Sequence, residues 1–178
     1  MRLKKTSGVV NVDDIIIRKA TPEDAEAACA VLVRSIKEIC APYYENDEEI
    51  LTHWLENKTP ANIRRWIESD RSYCVVAVNA QGQVLGFSSI SGAEIMLNYV
   101  LPEALHRGIG KKMLQALEAH AIASGVDHIR VVSSITAKAF YKRNGYVSNG
   151  APRPVGRILG DFPLIKRKSE KLALDRKA

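Results

Sequence analysis

The chain has 178 residues, 46% of them hydrophobic and 26% charged, with a formal net charge of +6. That length suits one domain with a sizeable core, and the composition excludes a disordered or fibrous chain. No apolar run approaches the ~20 residues of a membrane span, and the charged start Met1-Arg2-Leu3-Lys4-Lys5 is not followed by the apolar stretch of a signal peptide.

Residues 1–12 read as a flexible extension, 13–168 as a single domain and 169–178 as a C-terminal tail. Ile15-Ile16-Ile17 is a short strand. Thr21-Pro22-Glu23-Asp24 then opens a helix, with Thr21 as cap, Pro22 at the first helical position and Asp24 closing a capping-box-like pair. Ala25, Ala28, Cys29, Leu32, Ile36 and Ile39 recur at helical spacing, which predicts one amphipathic helix over 22–40, ended by Ala41-Pro42. Ile50, Leu51, Trp54 and Leu55 mark a second helix, on whose apolar stripe Trp54 is expected in the core. Ile63, Trp66 and Ile67 mark a third after Pro60.

The character then changes. Tyr73 to Val78 and Gln83 to Ile90 are β-rich and joined by Asn79-Ala80-Gln81-Gly82, which predicts a hairpin. Glu94 to Val100 is the next strand. A polar loop with Gly108 and Gly110 feeds a helix whose stripe is Ile109, Met113, Leu114, Leu117 and Ala121, ending near Gly125. His128 to Ser133 is a strand, Thr136 to Asn144 a short helix stopped by Gly145, and further strands are expected near 146–148 and 158–166.

Cys29, Cys40 and Cys74 lie far apart and form no metal-ligand spacing with histidine, so they read as reduced, buried thiols of a cytoplasmic protein, and no metal is expected. The basic residues are scattered, apart from Lys166-Arg167-Lys168 and Lys171, and aromatic rings do not interleave with them. A nucleic-acid partner is therefore the lesser reading of the positive charge, beside a phosphate-rich cofactor or solvated charge alone.

Strand, loop, two glycines and helix together make an anion site, because the first N–H groups of a helix are unpaired and its dipole is positive there. Two familiar phosphate loops do not fit. A Walker A loop needs glycine at Leu105 and a hydroxyl at Lys112, and a dinucleotide fingerprint needs a third glycine at Met113 and a tighter turn than the stretch from Val100 to Gly108.

The order strand, Val100-x-Pro102, loop, Gly108-x-Gly110, helix resembles the pyrophosphate-binding segment of the GCN5-related N-acetyltransferases (GNAT). One helix and one strand later, Ser134-Ile135-Thr136-Ala137-Lys138-Ala139-Phe140-Tyr141-Lys142-Arg143-Asn144-Gly145-Tyr146 resembles that family's second signature, N-x-x-A-x-x-F-Y-x-x-x-G-F. The chain departs from the pattern at Leu105, where the family usually has Arg or Gln, and at Ser134, where it often has Asn. The resemblance covers residues 14–167 and implies an α/β acyl-CoA N-acyltransferase fold, with a mixed, mostly antiparallel central sheet flanked by helices.

It also implies a function: transfer of the acetyl group of acetyl-CoA to a primary amine by direct attack in a ternary complex. Backbone groups of Asn98, Tyr99 and Val100 would meet the pantetheine arm and thioester, and His106, Arg107, Gly108, Ile109, Gly110 and Lys111 the pyrophosphate. Ser134 and Ala137 would border the cofactor. Tyr141 stands where the family keeps a cofactor-side tyrosine and is the candidate general acid; a phenol near ~10 can protonate a thiolate near ~8.5 with modest tuning. Glu94, fourteen residues before Gly108, is the candidate base for the amine, with an ordered water chain as the alternative. Tyr43 and Tyr44 lie off the apolar stripe and are candidates for the acceptor pocket. The partner is then a small-molecule or peptide amine, with no membrane, and homodimers are common among such proteins. A non-catalytic acyl-CoA-binding module on the same fold is the rival function.

Overall fold

The computed structural model describes residues 14–168. The expectations for 1–12 and 169–178, and the basic residue Lys171, lie outside the described residues. The strands are β1 (Ile16–Lys19), β2 (Ser72–Val78), β3 (Val84–Ser91), β4 (Glu94–Val100), β5 (His128–Ser134), β6 (Val147–Ser148), β7 (Arg153–Val155) and β8 (Ile158–Arg167). The helices are α1 (Ala25–Ser35), α2 (Glu48–Leu55), α3 (Pro60–Glu68), α4 (Ile109–Ala123) and α5 (Ile135–Arg143).

All strands join one sheet in the order β1-β2-β3-β4-β5-β8-β6, with β7 also on β8. Every pairing is antiparallel except β4 with β5. This is the mixed, mostly antiparallel sheet expected. β2 and β3 read as near-continuous apolar runs because both their faces are covered; Cys74–Val78 and Val84–Ile90 are buried throughout. α1 packs on β3 and β4, and α4 on β2, β3 and β4 from the opposite face, its predicted stripe of Ile109, Met113, Leu114, Leu117 and Ala121 fully buried. The approach of α4 is close at Gly86, where a Cβ would stand 2.7 Å from Met113 Cε.

At the start of α1, Arg18 of β1 gives both guanidinium arms to Asp24 at 2.7 and 2.8 Å, and the Thr21 N–H donates to the same carboxylate at 2.8 Å. The pair fastens the sheet edge to the helix and completes the predicted box. Burial then departs from expectation further on. The helix over 22–40 is helical throughout but not one α-helix: a 3-10 turn (Pro22–Asp24) precedes α1, and a π turn (Ile36–Cys40) and a 3-10 turn (Ala41–Tyr44) follow it. Pro42 does not end it, because in the first turn of a 3-10 segment its missing N–H costs nothing. The break comes instead at Glu45 and Asn46, with φ of 57° and 53°.

Trp54 is half-buried rather than in the core. No residue of α2 is fully buried, so this helix lies along the rim, and Tyr44 takes the inner place with Trp54 edge-on to its ring at 5.2 Å. β7 was not foreseen: it is three residues long, includes Pro154, and is framed by Gly150 and Gly156. Among the described residues no helix is long and apolar enough to cross a membrane.

Candidate functional site

The single parallel pair is also the place where the sheet opens. β4 and β5 are matched only at Glu94↔Arg130 and Ile95↔Val131. Beyond that point β4 bulges: Ile95 faces Ile90 but Leu97 faces Ser89, leaving Met96 as the extra residue. β5 meanwhile stays with β8 as far as Ser134↔Asp161. From Leu97 to Val100, β4 therefore has β3 on one side and a widening slot on the other.

Backbone direction in the slot follows from one bond. The Leu101 N–H donates to Leu85 O at 2.8 Å, so in the alternating antiparallel ladder Tyr99 also turns its polar groups to β3. Asn98 and Val100 turn theirs into the slot. Of the three residues expected to meet the cofactor through the backbone, two are so aimed and Tyr99 is not.

At the end of β4 the chain makes a 3-10 turn (Pro102–Ala104), passes through His106 at φ 61°, and enters α4 through Gly108 at φ 79°. A glycine suits that left-handed entry. A Cβ on Gly108 would meet nothing within 4 Å, so the entry faces open space, bordered by exposed His106, Arg107 and Lys111. A Cβ on Gly110 would meet only ordinary contacts, with Phe140 and Val100 at 3.7 Å. Packing inside the protein does not demand a glycine there.

Strand alternation gives the slot two distinct sides. Gly86 faces α4, so Phe87 faces α1, and its partner Tyr99 puts its ring on the α1 side; Asn98 points to the α4 side, its amide donating to Gly110 O at 3.4 Å. Tyr141 of α5 is buried on that α4 side, edge-on to Phe140 and Tyr146 at 5.1 and 5.3 Å. Burial raises the Tyr141 phenol above its ordinary value, while the approaching Asn98 amide favours the ionised form and opposes the rise. Burial likewise raises Tyr99, whose hydroxyl is approached by Trp54. Cys40, at the end of the π turn, is pushed up to about 11 by burial. Two buried polar atoms have no hydrogen-bond partner among the described residues, Asn98 Oδ1 on one side and Thr136 Oγ1 at the start of α5.

The remaining candidates fall as follows. Ser134 caps α5, its hydroxyl accepting from the Ala137 N–H at 3.3 Å. Glu94 sits at the closed foot of the slot, where β4 and β5 are still joined. Tyr43 is 57% exposed, but Tyr44 is turned inward, its hydroxyl donating to Gly160 O at 3.1 Å. Cys40, Trp54 and Thr136, which with the Tyr99 ring make up the α1-side wall while Tyr44 is buried, were not among the candidates. Thr136 had a sequence signal in its place in the Ser134–Tyr146 run, and Trp54 had one in its apolar stripe, which pointed to the core. Among the described residues no three His, Cys, Asp or Glu side chains are grouped to hold a metal ion.

Comparison with known proteins gives a consistent result. The acetyltransferase (GNAT) domain description matches residues 40–159. A GCN5-related N-acetyltransferase structure from Rhodopseudomonas palustris superposes with a TM-score of 0.75 at 27% identity, over 88% of this chain and 97% of that one. A PaiA N-acetyltransferase from Thermoplasma acidophilum, in complex with coenzyme A, gives a TM-score of 0.74 at 26% identity, over 87% and 99%. YjaB from Escherichia coli, at 22% identity and a TM-score of 0.61 over 85% and 95%, shares the fold. No curated protein sequence matches the chain.

Proposed function

Since this chain belongs to the GNAT acetyltransferase family, we propose that it moves an acetyl group to a primary amine by direct attack in a ternary complex. It is an acetyl-CoA-dependent N-acetyltransferase, and in this proposal the acceptor enters from the α1 side of the slot, opposite Tyr141. The observation that carries the reading is the splay of β4 from β5 in line with the start of α4. The start of α4 and the slot edge of β4 lie along one line, and backbone groups are offered at its two ends, by the first turn of α4 and by Asn98 and Val100.

Residues along this line fit acetyl-CoA. Open space over Gly108 lets a pyrophosphate reach the first N–H groups of α4, where the helix dipole favours it. Leu105 offers no charge, so these backbone groups do most of the holding. Asn98 and Val100 present the edge of β4 to an extended arm, as an added strand would meet it. Asn98 Oδ1 and Thr136 Oγ1 are the unpartnered polar atoms that such a ligand would satisfy. When bound, acetyl-CoA supplies an acetyl group activated as a thioester.

The chain supplies the rest. Tyr141 holds a proton on the cofactor side for the departing sulfur, and Glu94 at the slot foot takes a proton from the acceptor ammonium, directly or through water, so that the neutral amine can attack. Backbone N–H groups at Asn98 and Val100 stabilise charge developing beside them, an effect worth ~3 kcal/mol for one well-aimed donor. Tyr43, Trp54 and the ring of Tyr99 form the wall that an acceptor meets first.

Calorimetric titration with acetyl-CoA, followed by a thiol-release assay over polyamines, amino sugars, amino acids and a peptide N-terminus, tests the reading. Saturable binding and release with one class of amine are expected. Absence of binding at millimolar acetyl-CoA would overturn it, and binding without release for every amine would leave a module that holds acyl-CoA without turning it over.

A further inference from the structure

Tyr44 entered as a candidate acceptor contact, but its surroundings suit another task. It is 3% exposed, at the end of the helical segment 36–44. Its hydroxyl donates to Gly160 O of β8 at 3.1 Å and accepts the Ile135 N–H at 3.4 Å. Ile135 is the first residue of α5, the helix that carries Tyr141. A first-turn N–H is one that the helix itself cannot satisfy, and here a distant side chain satisfies it.

The fit around this hydroxyl is tight. A Cβ on Gly160 would stand 2.8 Å from Tyr44 Cε1 and 2.7 Å from Val155 Cβ. A Cβ on Gly156, in the β7–β8 turn, would stand 2.7 Å from Ile50 Cδ1 of α2. The hairpin thus closes on Tyr44 and α2 with no room between them. Segment 36–44, β8 and the first turn of α5 therefore meet at one buried oxygen.

We propose that Tyr44 is a positioning residue: its hydroxyl, bonded at once to β8 and to the first N–H of α5, fixes the helix bearing Tyr141 against the acceptor-side wall. Tyr44 itself touches neither acetyl group nor amine. Its effect passes through the backbone of α5, six residues from Ile135 to Tyr141. The catalytic part of this inference rests on the acetyltransferase reading above; the structural part does not.

Tyr44→Phe removes one oxygen and leaves the ring against Trp54. Three measurements on the full chain separate the outcomes. Amide hydrogen exchange in 135–141 should quicken about tenfold while β2 and β3 keep their protection, the size expected for one lost hydrogen bond. Coenzyme A should bind within twofold of the parent. With acetyl-CoA and the fastest amine of the panel, kcat should fall about tenfold with KM for acetyl-CoA held within twofold. Gly160→Ala, which drives a methyl at the Tyr44 ring, should shift exchange and kcat in the same direction. Unchanged exchange in α5, or quickened exchange with unchanged kcat, would overturn the proposal. Loss of coenzyme A binding in the parent protein would instead overturn the acetyltransferase reading and leave the exchange result standing.

Discussion

Gly108 and Gly125 sit at opposite ends of α4 in nearly the same backbone state, with φ of 79° and 85°, and a Cβ on either would meet nothing within 4 Å. Alanine at either position carries the same backbone strain and no clash. Holding an L-residue in the left-handed region costs about 1–2 kcal/mol, which in a domain of this size lowers Tm by about 3 °C for each kcal/mol. Gly108→Ala and Gly125→Ala should therefore match in thermal stability. They should differ in binding coenzyme A. At Gly108 the methyl enters the space from which α4 addresses an anion, and a forfeited charge-assisted N–H bond of about 2 kcal/mol weakens Kd by about 30-fold. Gly125 lies roughly 22 Å along the helix and should leave Kd within twofold. Paired calorimetry and differential scanning measure both quantities. Equal, undisturbed coenzyme A affinity in the two variants would refute the placement of the pyrophosphate at the start of α4.

Other expectations follow from single side chains. Tyr141→Phe should lower kcat by about a hundredfold or more and leave coenzyme A affinity unchanged, because the ring fills the same space without a proton to give; an unaltered kcat rules Tyr141 out as the acid. Glu94→Gln should lower kcat and displace the limb of the pH profile that rises with pH, and an unmoved limb assigns the base to water. Asp24 is held below the usual carboxylate range, first by its hydrogen bonds to Arg18. A depressed carboxylate contributes stability above its unfolded value near ~3.9 and loses it as pH falls through the lower folded value. Asp24→Asn should thus cost about 2 kcal/mol in denaturant unfolding at pH 7, and the two proteins should converge in acid. A gap that persists at low pH would mean that the Arg18 pair is not its source.

What was legible in the sequence followed from local periodicity. The stripe of α4, the β2–β3 hairpin and the capping pair at Asp24 each depend on residues a few positions apart, and the structure shows all three. The π turn at Ile36–Cys40 was not legible, since widening a helical turn changes hydrogen bonding and leaves no trace in composition. The slot was not legible for a different reason. It exists because β5 follows β8 rather than β4 beyond Val131, a choice made by pairings across distant parts of the chain. The bulge at Met96 then decides which residues face it, because a one-residue slip exchanges the two faces of a strand. Asn98, Tyr99 and Val100 looked equivalent in sequence; the bulge gives the first and last to the slot and turns the Tyr99 ring to the opposite wall. Tyr43 and Tyr44 were equivalent too, until one tight turn placed the first outside and the second within.

The burial of Tyr141 bears directly on how it can act. A phenol raised above its ordinary value is by itself a reluctant acid, and against a free thiol near ~8.5 its proton would have far to climb. But burial acts on sulfur in the same direction. Cys40 beside the slot and Cys74 in the sheet are both pushed up to about 11 by desolvation. In the proposed mechanism, sulfur released between β4 and β5 would be desolvated in the same way, and Tyr141 would give its proton to a base as strong as a buried thiolate, not a solvated one. The Asn98 amide favours the ionised phenol and narrows the difference that remains. Proton transfer in the slot is then governed by the difference between two anions in one dry environment. On that proposal Asn98 would serve the balance with its side chain while its backbone lines the slot, and the bulge that orients it would then matter to the chemistry as well as to the fold.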